Sequence, residues 1–334
     1  MIDTLLRYEE LGLVYKQVHP ELPISIWNYT EKVQWEGSWN QITLQARGLV
    51  VDNVTGEVVA RPFKKFFNLS EGKTNISGRY EIFEKLDGSL GILFFYNGEW
   101  ILASRGSFTS EQAIKGKKIL DRTCNYDSLS EDCTYCFEII YPENRIVVDY
   151  FGEEKVVLTA VFETKTGVEQ SLYGYELPVA KMFGVDTPLE DLHTTIKDSE
   201  EGYVVRFHNG DRCKIKGSEY LRLHKLMSEI SSTSIWECLY SGVKIEESIS
   251  TLPDEFFDLV KNYEKELIHK FNNKMAEIRA EYITVNLSLG RCDDKTFALF
   301  VSSSPYKSFL FSMRNGKNIE KQVWKLIKPK YHRL

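Results

Sequence analysis

Two Asn-Gly pairs stand between short apolar runs: Asn97-Gly98 between residues 91–96 and 100–104, and Asn209-Gly210 between residues 203–207 and 212–215. A two-residue hairpin turn needs positive φ at both central positions, and asparagine followed by glycine accepts that at least cost. A third turn, carrying Asn53 and Gly56, separates residues 49–51 from 57–60. Three hairpins in one chain require antiparallel sheet. Further apolar runs predict strands at 135–140, 145–150 and 155–163, interrupted by short helices at 110–120 and 178–183. Hairpins broken by helices give an α+β domain rather than a parallel α/β one.

The pattern changes after about Tyr220. Pro253-Asp254-Glu255 makes a helix start, with proline in the first turn and acids at the positive end of the dipole. From Phe256 through Leu259, Val260, Tyr263, Leu267, Phe271, Met275 and Ile278 to Tyr282, apolar residues then recur at steps of three and four. That spacing predicts one long amphipathic helix. Shorter helices are expected at 295–301 and 319–327. With 334 residues, the chain has room for two domains: 1–230, strand-rich, and 231–334, a small all-α domain.

Within the first domain, Lys85-Leu86-Asp87-Gly88-Ser89 joins one apolar run to the next. A lysine amine is a nucleophile only when neutral, and its ordinary pKa of about 10.4 must then be lowered by desolvation or nearby cations. Gly88 lets the backbone approach a ligand or take positive φ. Alone, this pattern is common among exposed turns. Other segments add to it. Arg47-Gly48 leads into a strand, and Arg61-Pro62-Phe63-Lys64-Lys65-Phe66-Phe67-Asn68 mixes cations with aromatics. Glu138 interrupts a strand that otherwise reads as core. Glu201-Gly202 opens the last hairpin, and Lys214 and Lys216 share one face of its second arm, since residues two apart in a strand project together. Two ammonium groups on one face suit a triphosphate.

In chain order, these segments resemble the covalent nucleotidyltransferase superfamily of ATP-dependent ligases and RNA capping enzymes, and within it the phage-type RNA ligase 1 family. The resemblance spans about Arg47 to Tyr220. It is carried by A-R-G-L, R-P-x-K-K-F-F-N-L, K-L-D-G-S-L, S-R-G-S, F-E-I-I-Y-P-E-N-R-I-V, E-G-Y-V-V and K-I-K. It implies an antiparallel-sheet adenylyltransferase fold and an ATP-dependent enzyme that joins 5′-phosphate and 3′-hydroxyl RNA ends through lysyl-AMP and RNA-adenylate, in RNA (tRNA) repair.

By the same resemblance, Lys85 is the residue adenylylated by ATP. Arg47 and Lys65 contact phosphates or the nucleotide sugar, and Phe67 stacks on adenine. Glu138 binds the ribose hydroxyl or a metal-bound water, and Glu201 helps hold Mg²⁺, which Mn²⁺ could replace. Lys214 and Lys216 neutralise the α-phosphate and pyrophosphate. Asp87, Gly88, Arg105 and Gly202 complete the nucleotide site. Arg105 stands where the family often has lysine, and a planar guanidinium does not bind as a point ammonium does.

Composition bounds the rest. A net charge of −6 argues against coating nucleic acid through bulk charge, but leaves room for a local basic groove. Six cysteines in 334 residues are no disulfide scaffold, and the start of the chain reads as no signal peptide. A cytoplasmic protein is expected (the host cytoplasm if phage-encoded), with RNA as partner and neither a membrane nor an obligate protein partner. Cys133-x-x-Cys136 lacks a second pair for zinc. Lys115, Lys117 and Lys118 form either an RNA-backbone patch or a solvated helix face. DNA ligases and RNA guanylyltransferases, the nearest rivals, typically continue into a β-barrel, whereas this chain continues into helices. A polynucleotide kinase lacks its G-x-x-x-x-G-K-[ST] loop here. A non-catalytic RNA-end binding module is the remaining rival.

Overall fold

The computed structural model describes residues 1–184, 188–227, 231–245 and 257–330. It divides into two compact units, Met1–Met227 and Ser228–Leu334.

Among the described residues, the first unit has fourteen strands. They run β1 (Val14–Val18), β2 (Ile24–Tyr29), β3 (Arg47–Asp52), β4 (Val58–Ala60), β5 (Phe67–Asn68), β6 (Tyr80–Lys85) and β7 (Ser89–Tyr96). Then come β8 (Glu99–Ser104), β9 (Cys133–Ile140), β10 (Lys155–Glu163), β11 (Glu169–Gln170), β12 (Met182–Phe183), β13 (Gly202–Phe207) and β14 (Arg212–Lys216). Three sheets result, with orders β1-β2-β3-β4, β11-β10-β9-β7-β8 and β12-β6-β13-β14-β5. Their ladders are antiparallel, except that β5 lies parallel to β14. Asn97 and Gly98 turn β7 into β8 at φ of 52° and 86°, as the hairpin signal requires.

Alternation puts one face of each sheet into a core. Ile24, Ile26 and Val50 of the first sheet meet Ile92, Phe94 and Ala103 of the second. The opposite face of the second sheet, with Leu93, Tyr135, Phe137 and Leu158, packs with Ile119 and Leu120. These two lie on the helix Glu111–Thr123, whose N-cap Ser110 accepts a hydrogen bond from the Ala113 amide at 3.2 Å. The third sheet buries Ile82, Val205, Phe207 and Cys213 against Leu192. Its other face carries the charged residues.

Two expected elements are absent as such. Residues 145–150 form no strand, because the Val147 and Val148 amides are used by a side chain, the Asp87 carboxylate, at 2.8 Å each. Residues 178–183 form no helix. Leu158 donates to the Pro178 carbonyl and Ala180 to the Leu158 carbonyl, so the segment runs extended and continues as β12 beside β6. Tertiary pairing outweighs local propensity in both places.

The second unit is helical. Met275, Ile278 and Val285 of the helix Phe257–Leu289 are buried with Phe297, Leu310 and Val323 from three shorter helices, Asp294–Phe300, Lys307–Arg314 and Glu320–Leu326. The Trp236 indole donates to the Trp324 carbonyl at 2.9 Å and ties in a further helix, Ser232–Ser241. The expected helix start at Pro253 lies outside the described residues. Among those described, no helix is long and apolar enough to cross a membrane.

Candidate active site

The register of the third sheet assembles the cations. Lys85 on β6 is paired with Gly202 on β13, which is paired with Lys216 on β14. Phe83, Val204 and Lys214 make the next row on the same face. Gly202 leaves space between the two lysines of its row. Its φ of 146° takes the backbone out of the ordinary pleat, and an added Cβ would strike the Ile215 carbonyl. Glu201, just before it, is 4% exposed and places Oε1 2.7 Å from Lys85 Nζ and 3.7 Å from Lys216 Nζ.

The charge state of Lys85 differs from expectation. Burial pulls its pKa down, but Glu201 and Glu138 outweigh burial and raise it above the ordinary lysine value. In this state the residue is an ammonium paired to a carboxylate, not a neutral amine. Glu138 comes from the second sheet, opposite Leu90 and Val157. Its Oε1 accepts from the Gly88 amide at 3.1 Å. Burial pushes its carboxyl up to about 7, with Lys85 pulling it down and Glu201 pushing it further up. Gly88 is required by close approach, since a Cβ there would lie 2.5 Å from the Ile139 carbonyl.

A cavity of about 440 Å³ opens beside Lys85, lined by Arg47, Gly88, Arg105 and Glu138, and by Phe63, Phe66, Phe83, Val204 and Arg212. Arg47 Nη1 is buried without a hydrogen-bond partner among the described residues. An unsatisfied buried donor of this kind costs on the order of 1–3 kcal/mol until an acceptor arrives. Burial lowers the pKa of this guanidinium, which Tyr29 raises and Arg105 lowers again. Asn28 joins the two arginine segments: its amide donates to the Arg105 carbonyl at 2.9 Å and accepts from the Gly48 amide at 3.0 Å.

Not every expected residue lines this cavity. Lys65 and Phe67 line a neighbouring one of about 450 Å³, which shares Phe63, Phe66 and Arg212 with the first. Phe67 there carries Lys65 and Lys73 over its ring at 5.6 and 4.8 Å. Glu201, Gly202, Lys214 and Lys216 do not line the first cavity. Asp87 is only 3% exposed. Besides the two loop amides on its Oδ2, it accepts from the Tyr220 hydroxyl at 3.0 Å on Oδ1. The Asp87 amide donates to the Tyr150 hydroxyl at 2.8 Å. Asp87 therefore fastens the turn that carries Lys85 and does not line the cavity.

Sequence reasoning overlooked Arg212, Asn28 and Tyr220. Arg212 was within reach: it lies two residues before Lys214, on the same face of β14. It is held by Glu169, which also binds Arg206, and its guanidinium lies 5.7 Å from the rings of both Phe63 and Phe162. No sequence signal marked Asn28 or Tyr220, whose partners are 77 and 133 positions away.

A family model described as RNA ligase matches residues 45–226 of the chain. A protein of Autographa californica nuclear polyhedrosis virus, named as a bifunctional polynucleotide kinase/RNA ligase, is 26% identical over 324 residues, covering 86% of this chain and 45% of its own. A protein of Thermovibrio ammonificans, named as an RNA ligase, is 32% identical over 205 residues, covering 54% of this chain and 53% of its own. The chain thus spans about half the length of these curated relatives. Among solved structures, an archaeal ATP-dependent RNA ligase is similar at a TM-score of 0.51 and 17% identity, over 79% of this chain and 75% of that one. A second archaeal form gives 0.51 at 15% identity, over 95% and 96%. At these identities the likeness is one of fold.

Proposed function

The chain belongs to the RNA ligase family, and from that premise we propose that it uses ATP to join 5′-phosphate and 3′-hydroxyl RNA ends, with Lys85 as the carrier of AMP. The observation that carries this reading is the cluster of Lys85 and Lys216 around the buried Glu201, beside a cavity holding an unsatisfied arginine donor.

The Lys85 amine attacks the α-phosphorus of ATP, a P–N bond forms, and the bond to pyrophosphate breaks. The RNA 5′-phosphate then attacks the same phosphorus and releases Lys85. Finally a 3′-hydroxyl attacks the RNA 5′-phosphorus and AMP departs. Each step spreads negative charge over phosphoryl oxygens, so catalysis rests on cations already in place. Arg47 supplies a donor from within the cavity, and Lys214 and Lys216 supply positive charge behind the reacting lysine. Lys85 must lose its proton to react, and it does so more readily once Glu201 no longer faces it and burial is opposed only by Glu138 and Asp87.

Glu138 and Glu201 are the residues that would hold Mg²⁺. Hard carboxylate oxygens suit that ion. Among the described residues, no group of three or more His, Cys, Asp or Glu is placed to cage a metal. Such a donor set fits an ion that keeps water and shares phosphate oxygens with the nucleotide. When bound, it would offset charge on the phosphates.

The viral relative's name couples this activity to a polynucleotide kinase, which makes 5′-phosphate ends, and this supports a role in RNA repair. We assign RNA selection to residues 231–334, where Lys317, Lys321, Lys325, Lys328 and Lys330 cluster near the end of an otherwise acidic chain. The test is a panel of 5′-phosphorylated RNAs and DNAs with ATP or GTP. Circular RNA formed with ATP supports the reading; sealing of DNA alone, or charging by GTP alone, contradicts it.

A further inference from the structure

Tyr150-Phe151-Gly152-Glu153 makes a tight turn, closed by the Glu153 amide on the Tyr150 carbonyl at 3.1 Å. Its two central residues have φ of 53° and 81°, nearly the same pair as Asn97 and Gly98 at 52° and 86°. Among the described residues, Asn97 and Phe151 alone have positive φ without being glycine. The hairpin uses the Asn-Gly pair that this geometry favours, whereas the second turn puts a bulky aromatic in the position where asparagine is cheapest. Nor does the ring gain burial in return, for Phe151 is 92% exposed. Fold stability does not account for this residue.

The turn is fastened to the reacting loop. The Val147 and Val148 amides hold Asp87 Oδ2, and the Tyr150 hydroxyl accepts from the Asp87 amide, two residues from Lys85. Asp149 braces the turn by accepting from the Phe151 amide and from Arg145, each at 2.8 Å. Cations surround it and hold its acids in pairs: Lys155 with Glu153, and Lys115 and Arg122 with Glu154. An exposed ring held at a fixed offset from the reacting group is the kind of stacking platform on which single-stranded nucleic acid is held without base reading.

We propose that Phe151 is a platform on which a nucleobase of the RNA stacks near the junction being sealed. The proposal rests on the RNA ligase reading and adds a substrate contact to it. Bases of any identity serve, since each has a π-face.

The experiment compares wild type with Phe151→Asn, Phe151→Trp and Phe151→Leu in thermal melting, self-labelling by ATP, and sealing of 5′-phosphorylated single-stranded RNA. Phe151→Asn should melt at or above the wild-type temperature and label at the wild-type rate. Its kcat/KM for sealing should fall on the order of 5- to 100-fold, chiefly through KM. Phe151→Trp should retain sealing, and Phe151→Leu should not. RNA with one abasic nucleotide near the junction should reduce wild-type sealing to the level of Phe151→Asn and leave that variant unaffected. Unchanged sealing by Phe151→Asn, or leucine serving as well as tryptophan, overturns the proposal, as does an altered oligomeric state with sealing intact. A wild type that seals no RNA overturns the ligase reading and this proposal with it.

Discussion

Lys85 Nζ lies 2.7 Å from Glu201 Oε1, closer than the 3.7 Å that separates the same oxygen from Lys216 Nζ. One buried carboxylate is thus shared by Lys85, the proposed carrier of AMP, and Lys216. The pairing keeps Lys85 charged and unreactive, because Glu201 and Glu138 outweigh the burial that would neutralise it.

Replacing Glu201 by glutamine removes the larger of those two carboxylate effects. Less of the raised pKa then remains, so more Lys85 is neutral at any given pH. The pH profile of lysyl-AMP formation should move to lower pH in Glu201→Gln, even as its plateau falls through weaker metal binding. A profile that keeps its midpoint, or moves it upward, contradicts this account of the pair.

Glu138 gives a stability prediction of definite sign. Its folded pKa, about 7, exceeds the unfolded value of about 4.3, so ionisation costs the folded chain more than the unfolded one. Below about pH 4 the carboxyl is protonated in both states and the cost is absent. It grows as pH rises and is complete above about pH 7. Glu138→Gln should therefore be more stable than wild type at pH 8, on the order of 3–4 kcal/mol, while losing activity. Chemical denaturation at pH 8 and pH 4 should show the advantage shrinking in acid; equal stabilities at pH 8 would refute the burial argument.

Lys214 and Lys216 share one face of β14, Lys216 in the row that holds Lys85 and Lys214 in the next. Removing either ammonium should slow lysyl-AMP formation on the order of 10²-fold, the effect of losing one preorganised charge contact in a transition state. Rapid-quench labelling would measure it. Wild-type rates in both Lys214→Ala and Lys216→Ala would remove these residues from the mechanism.

Local signals made the sheet legible. Asn97-Gly98 fixes its own hairpin through φ, whatever surrounds it, and the i,i+2 spacing of Lys214 and Lys216 fixes a shared face. The long helix follows from its apolar period alone. Residues 145–150 had the composition of a strand, but their amides answer to Asp87, some 60 positions earlier. Asp87 itself read as a ligand because it sits in the lysine's own turn. Only the fold discloses that its oxygens hold a loop and Tyr220. The charge of Lys85 was illegible for the same reason, since the sequence places Glu201 116 positions away and the sheet places it in contact.

The most direct test of the central claim is to incubate the protein with labelled ATP and identify the modified peptide, in wild type and in Lys85→Ala. AMP should be found on Lys85 through an acid-labile P–N bond, and Lys85→Ala should acquire none. That variant should also fail to join 5′-phosphate RNA yet still seal RNA supplied with a 5′-adenylate, because the last step uses the 3′-hydroxyl as nucleophile and leaves Arg47, Lys214 and Lys216 in place. AMP on another lysine, or labelling that survives Lys85→Ala, would contradict the account.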